Sequence, residues 1–93
     1  MNLDIRHLAL ADHGSFQTTV DGLQCEADYR LAGRVMTITH TGVPAALGGR
    51  GIAAALTKAA LDHARAAGWT VRPACSYART YIERHPDMQS LLA

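Results

Sequence analysis

A chain of 93 residues, 48% hydrophobic and 18% charged, with a formal net charge of +1, has the composition of one small globular domain spanning residues 1–93. Its nine Lys and Arg residues are scattered rather than striped, which argues against a nucleic-acid partner, and no apolar run reaches the roughly 20 residues of a membrane span. The N-terminus lacks the pattern of a signal peptide, so a cytoplasmic location is expected. Cys25 and Cys75 are far apart and form no CxxC pair, so both read as free thiols, and the five histidines show no metal-ligand spacing. No metal is therefore expected.

The elements follow in chain order. The opening DIRHLAL admits a strand. Ser15–Val20 (SFQTTV) is rich in strand formers and ends at Asp21-Gly22, a hairpin turn signal. From Gln24 to Leu31 the pattern alternates: Cys25, Ala27, Tyr29 and Leu31 point one way, and Gln24, Glu26, Asp28 and Arg30 the other. That is the period of a half-buried strand. A turn at Ala32-Gly33 leads into Arg34–His40 (RVMTITH), which places Met36, Ile38 and His40 on one face. These strands form an antiparallel meander.

Thr41-Gly-Val-Pro leaves the sheet. A helix is predicted from Gly51 to Ala67, stopped by a left-handed Gly68. Ile52, Leu56, Ala59, Ala60 and either His63 or Ala64 face inward, and Lys58, Asp62 and Arg65 stay solvated. Trp69–Pro73 is a short strand. Ser76 is predicted to cap a second helix, from Tyr77 to about Arg84, which His85-Pro86 ends. Asp87 to Ala93 adds one short helical turn. The predicted fold class is α+β (mixed α/β): an antiparallel meander followed by β-α-β-α, with a glycine turn opening the central helix.

That turn, Gly48-Gly49-Arg50-Gly51, has two readings. Helix N-termini carry unpaired N–H groups and partial positive charge, and glycines let a phosphate approach the backbone. Alternatively the glycines only turn the chain. A Walker motif is absent, since no Gly-Lys-Ser/Thr follows. Gly49-x-Gly51-x-x-Ala54 satisfies a dinucleotide pattern, but the preceding strand ends too early and the following one has no acidic residue.

The run VPAALGGRGIAAALTKAAL resembles the acetyl-CoA-binding motif of the GNAT superfamily of N-acetyltransferases, written R/Q-x-x-G-x-G/A. Together with HTGVP before the turn and CSYARTYIERHP downstream, it is similar to the small single-domain branch often called YjdJ-type. The resemblance implies that Gly48, Gly49, Arg50, Gly51, Ile52 and Ala53 receive the coenzyme's diphosphate. It also implies acetyl-CoA as co-substrate and an unidentified amine as acceptor. Gly48 departs from the pattern, where Arg or Gln is usual, and removes one side-chain contact. The chain is expected to be a monomer or weak homodimer.

Four side chains are candidates for the chemistry. Cys75 precedes the second helix, where a thiolate is favoured, so it can accept an acetyl group; equally, cysteine is a common core residue. Tyr77 and Tyr81 lie four apart on one helix face. The superfamily often places its general acid on this helix, and each tyrosine also suits a core. His40, at a strand end, has the pKa of a base and equally the character of a structural histidine. The rival to an acetyltransferase is a coenzyme-binding module with weak catalysis or none.

Overall fold

The computed structural model describes residues 3–93. Its strands are β1 (Arg6–Ala9), β2 (His13–Val20), β3 (Leu23–Ala32), β4 (Val35–Gly42) and β5 (Thr70–Pro73), and its helices α1 (Ile52–Ala67) and α2 (Ser76–Glu83). A 3₁₀ turn, Ala45–Leu47, precedes α1, and a 3₁₀ helix, Pro86–Leu91, follows α2. The five strands form one sheet in sequence order, antiparallel from β1 to β4 and parallel between β4 and β5. Only the last pair needs a crossover, and α1 supplies it.

Local chemistry accounts for the hairpins and helix ends. Asp21 and Gly22 both take positive φ, 52° and 76°, as the two-residue turn between Val20 and Leu23 requires. Gly68 ends α1 in the left-handed conformation, and the Trp69 N–H returns to Ala64 O at 2.8 Å, closing a Schellman motif.

The core lies between the sheet and the helices. Phe16, Cys25, Ala27, Met36, Ile38 and Val71 point from the strands toward buried α1 residues such as Ile52, Leu56 and Leu61. The opposite face is polar and bonds across itself: Ser15 Oγ donates to Asp28 Oδ1 at 2.7 Å and accepts from Gln17 Nε2 at 3.2 Å. Alternation in β2 and β3 produces this division. Among the described residues, no helix is long and apolar enough to cross a membrane.

The expected meander gains β1, which pairs with β2 over Arg6–Ala9 only. One expectation fails at the site itself. Tyr29 pairs with Ile38, but the next residue back, Asp28, pairs with His40, so Thr39 is an extra residue in β4. This β-bulge inverts the alternation beyond it. His40 therefore shares the polar outer face with Asp28, not the inner face with Met36 and Ile38. Thr41, opposite the core residue Ala27, points inward instead.

Candidate active site

The glycine turn is held at both sides by buried side chains, Leu47 before it and Ile52 after it, while Gly48 through Gly51 are exposed. Gly49 and Gly51 have φ of 80° and 77°, a conformation that L-residues with a Cβ rarely adopt. Gly51 is the N-cap of α1 and offers no side chain to its amides. The helix ladder begins with the Ala55 N–H, which donates to Gly51 O at 3.0 Å. The N–H groups of Ile52, Ala53 and Ala54 lie ahead of it and can receive an anion. Gly48, in contrast, is extended at φ −60°, and a Cβ there would sit 3.2 Å from Ala45 O. Its lack of a side chain thus relieves a close approach rather than supplying a positive φ.

Arg50 is already engaged. Its Nη1 donates to Asp21 Oδ2 at 2.9 Å, tying the turn to the tip of the β2–β3 hairpin. Both groups are largely solvated, so the pair contributes at most about 1 kcal/mol.

Beyond Ile38 and Pro73, β4 and β5 part. Ile38 O accepts from both Ala74 N–H (3.1 Å) and Cys75 N–H (2.9 Å), which turns the chain out of β5 and into α2. Cys75, with φ −78° and ψ 134°, is the N-cap of that helix, and Ser76 is its first residue; the cap assigned to Ser76 moves back by one. The extended backbone after β5 places the boundary there. Half-buried in the fork, Cys75 Sγ lies 3.6 Å from Thr41 Oγ1. Burial pushes this thiol up. The Ala78 N–H, the Thr41 hydroxyl, and the N–H groups of Tyr77 and Thr41 favour the thiolate more strongly, so the thiol is held below its ordinary range. Cys25, by contrast, is fully buried in β3, and burial pushes its thiol up.

The two tyrosines line one groove of about 300 Å³ between α1 and α2, facing Ala54, Ala55 and Lys58. They differ in freedom. Tyr81 is 8% exposed and stacks on His85 at 3.9 Å, while His85 Nδ1 pairs with Tyr81 O at 2.6 Å. Tyr77 is 39% exposed. Burial raises both phenols, so each is a proton donor at neutral pH rather than a base. A larger hollow of about 760 Å³ lies on the far side, lined by Leu8, Ser15, Asp28 and Thr39 among others, and includes no residue of the glycine turn or of α2. The free helix-end amides and the Cys75 thiol thus lie away from the larger hollow.

The structure thus groups Gly48–Ala53 at one helix end and Cys75, Tyr77 and Tyr81 along the next helix, and separates His40 onto the outer face. Among the described residues, no group of three or more His, Cys, Asp or Glu side chains gathers as a metal cage. Residues missed in the sequence are Thr41, hidden by the bulge, and Asp21, whose turn role conceals its bond to Arg50. Residues 15–91 match the family model described as GCN5-related N-acetyl-transferase. That span runs from β2 to the 3₁₀ helix after α2 and so contains the fork, the glycine turn and Cys75. The five-stranded mixed sheet with α1 leading from β4 to β5 agrees with it, and the chain belongs to the GCN5-related N-acetyltransferase family.

Proposed function

We propose that this protein is a minimal N-acetyltransferase of the small YjdJ-type branch, acting in the cytoplasm, that passes acetyl from acetyl-CoA to an amine through Cys75. The observation that carries this reading is the placement of Cys75: a thiol that hydrogen bonds hold below its ordinary range, seated where β4 and β5 open beside the first turn of α2. The amides of Gly49, Gly51, Ile52 and Ala53 receive the diphosphate, and Arg50 turns from Asp21 to add its charge. Gly48 lends the turn only its backbone.

Acetyl-CoA supplies an acetyl group already activated as a thioester. The Cys75 thiolate forms a bond to the acetyl carbon as the bond to the coenzyme sulfur breaks, and the released thiolate takes up a proton. The amine then forms the C–N bond, the Cys75 sulfur leaves, and the proton lost by the amine completes the balance. Tyr77, the more accessible phenol, protonates the departing coenzyme thiolate, and Tyr81 holds the helix against the core. His40 serves as base only for an amine that arrives from the outer face.

A coenzyme-binding module is the second reading, favoured by Gly48 and by the engagement of Arg50 with Asp21. Calorimetric titration with acetyl-CoA, paired with an acetyl-transfer assay over a panel of amines, tests both. Binding with turnover is expected. Binding without turnover supports the module, and no heat at millimolar coenzyme ends both readings.

A further inference from the structure

The bulge in β4 has a chemical consequence. Without the extra Thr39, strict alternation after Ile38 would carry His40 inward and Thr41 outward. With it, the Thr41 hydroxyl is delivered to the helix-bearing side at the level where β5 has ended. The same corner fixes Cys75, because its N–H and that of Ala74 share one acceptor, Ile38 O. The two residues, far apart in sequence, meet through Sγ and Oγ1 at 3.6 Å, within reach of a sulfur hydrogen bond. Among the described residues, Thr41 is the one side chain recorded hydrogen-bonding to this sulfur. The ionisable groups nearby are His40 and Glu26, beside Thr41 on the outer face of the sheet, and Tyr77 in the first turn of α2. None of their side chains hydrogen-bonds to the sulfur; Tyr77 reaches it only through its backbone N–H.

We propose that Thr41 is a positioning residue for Cys75, accepting the thiol hydrogen in the resting state and donating its own hydroxyl hydrogen to the sulfur once that proton has left. The hydroxyl can reverse its role because it is both donor and acceptor. A charge-assisted hydrogen bond of this kind also aims the sulfur, since it restricts rotation of the Cys75 side chain in the fork. The direction of the Cys75 shift, to which the Thr41 hydroxyl contributes, agrees with this role. The bulge then serves to convert an outward threonine into a partner for the thiol.

This inference rests on the reading of Cys75 as the group that carries acetyl, but its test needs no coenzyme. The rate of Cys75 alkylation by iodoacetamide, followed by peptide mass spectrometry across pH in the folded protein, reports the thiolate directly. Thr41→Val keeps the shape and loses the hydroxyl; Thr41→Ser keeps the hydroxyl. The expected result is a profile displaced to higher pH in Thr41→Val, with alkylation at neutral pH slowed several-fold, and a near-parental profile in Thr41→Ser. Thr41→Ala replaces the valine variant if that one fails to fold. A parental profile in the hydroxyl-free variant, or an equal displacement in Thr41→Ser, overturns the proposal. Full acetyl transfer by Cys75→Ala would end the covalent reading while leaving the alkylation result to decide whether Thr41 acts on the thiol.

Discussion

On the helix-bearing face near β1, His7 stacks on Phe16 at 4.1 Å and meets His63 of α1 at 4.4 Å, while His63 packs edge-on to Trp69 at 5.1 Å. His7 also shares a 2.7 Å hydrogen bond with the Tyr29 hydroxyl. At the other side of the sheet, β4 and β5 part, and Cys75 Sγ lies 3.6 Å from Thr41 Oγ1. Both regions hold titratable groups away from bulk water, but with opposite outcomes. Burial, and then the neighbouring His63, hold His7 below the ordinary histidine range, so it is kept neutral. At Cys75 burial is outweighed by hydrogen bonding, and the thiol is held below its ordinary range. Burial dominates at His7 and disfavours its charge, while hydrogen bonding outweighs burial at Cys75.

This contrast predicts that the two regions can be broken separately. Cys75→Ala should reduce acetyl transfer at least about a hundredfold while leaving the melting temperature near the parental value, as expected for loss of a nucleophile. Gly51→Val should damage the same side from the coenzyme end. A β-branched residue at φ 77° costs about 1–3 kcal/mol of strain, and calorimetry should show coenzyme binding weakened at least about tenfold. Normal affinity in that variant would remove the glycine turn from the coenzyme site.

The His7 region should answer to acid. The unfolded chain binds the His7 proton more tightly than the folded one, so stability is full above about pH 6.5, the unfolded histidine value. It should fall as the pH drops from there through the depressed folded value. Denaturation followed by the fluorescence of Trp69, the single tryptophan, reads this directly. His7→Phe should flatten the dependence and leave acetyl transfer unchanged at neutral pH.

Three further substitutions should have smaller effects. Thr57 is completely buried on α1, with no hydrogen-bond partner recorded for its hydroxyl, so Thr57→Val should raise unfolding free energy by about 1 kcal/mol in urea titrations. Arg50→Ala should weaken coenzyme binding only a few-fold and reduce its salt dependence. Asp21→Asn should change stability by less than about 1 kcal/mol, since the pair is solvated, and should not weaken the coenzyme.

Much of this architecture was legible in the residues. Strict alternation in Gln24–Leu31, the Asp21-Gly22 turn, and a helix bounded by Gly51 and Gly68 each express a local steric or periodic preference. The resemblance around GGRGIA and CSYARTYIERHP pointed to the family, which the match over residues 15–91 shows. What stayed hidden depended on pairing between distant strands. Nothing in Thr39-His40-Thr41 marks a bulge, because the extra residue is defined by its partners Asp28 and Tyr29. Helical spacing likewise placed Tyr77 and Tyr81 on one face, but only packing against His85 closes Tyr81. Arg50 looked free because its partner belongs to a turn 29 residues earlier.

In the proposed route, Cys75 at the fork between β4 and β5 carries the acetyl group. The most direct measurement is rapid quenching of the protein with acetyl-CoA in the absence of acceptor, followed by peptide mass spectrometry of both cysteines. One acetyl group on Cys75 and none on the buried Cys25, discharged when a competent amine is added, is the predicted result. Coenzyme binding and amine acetylation with Cys75 unmodified throughout, and with Cys75→Ala at full rate, would contradict it.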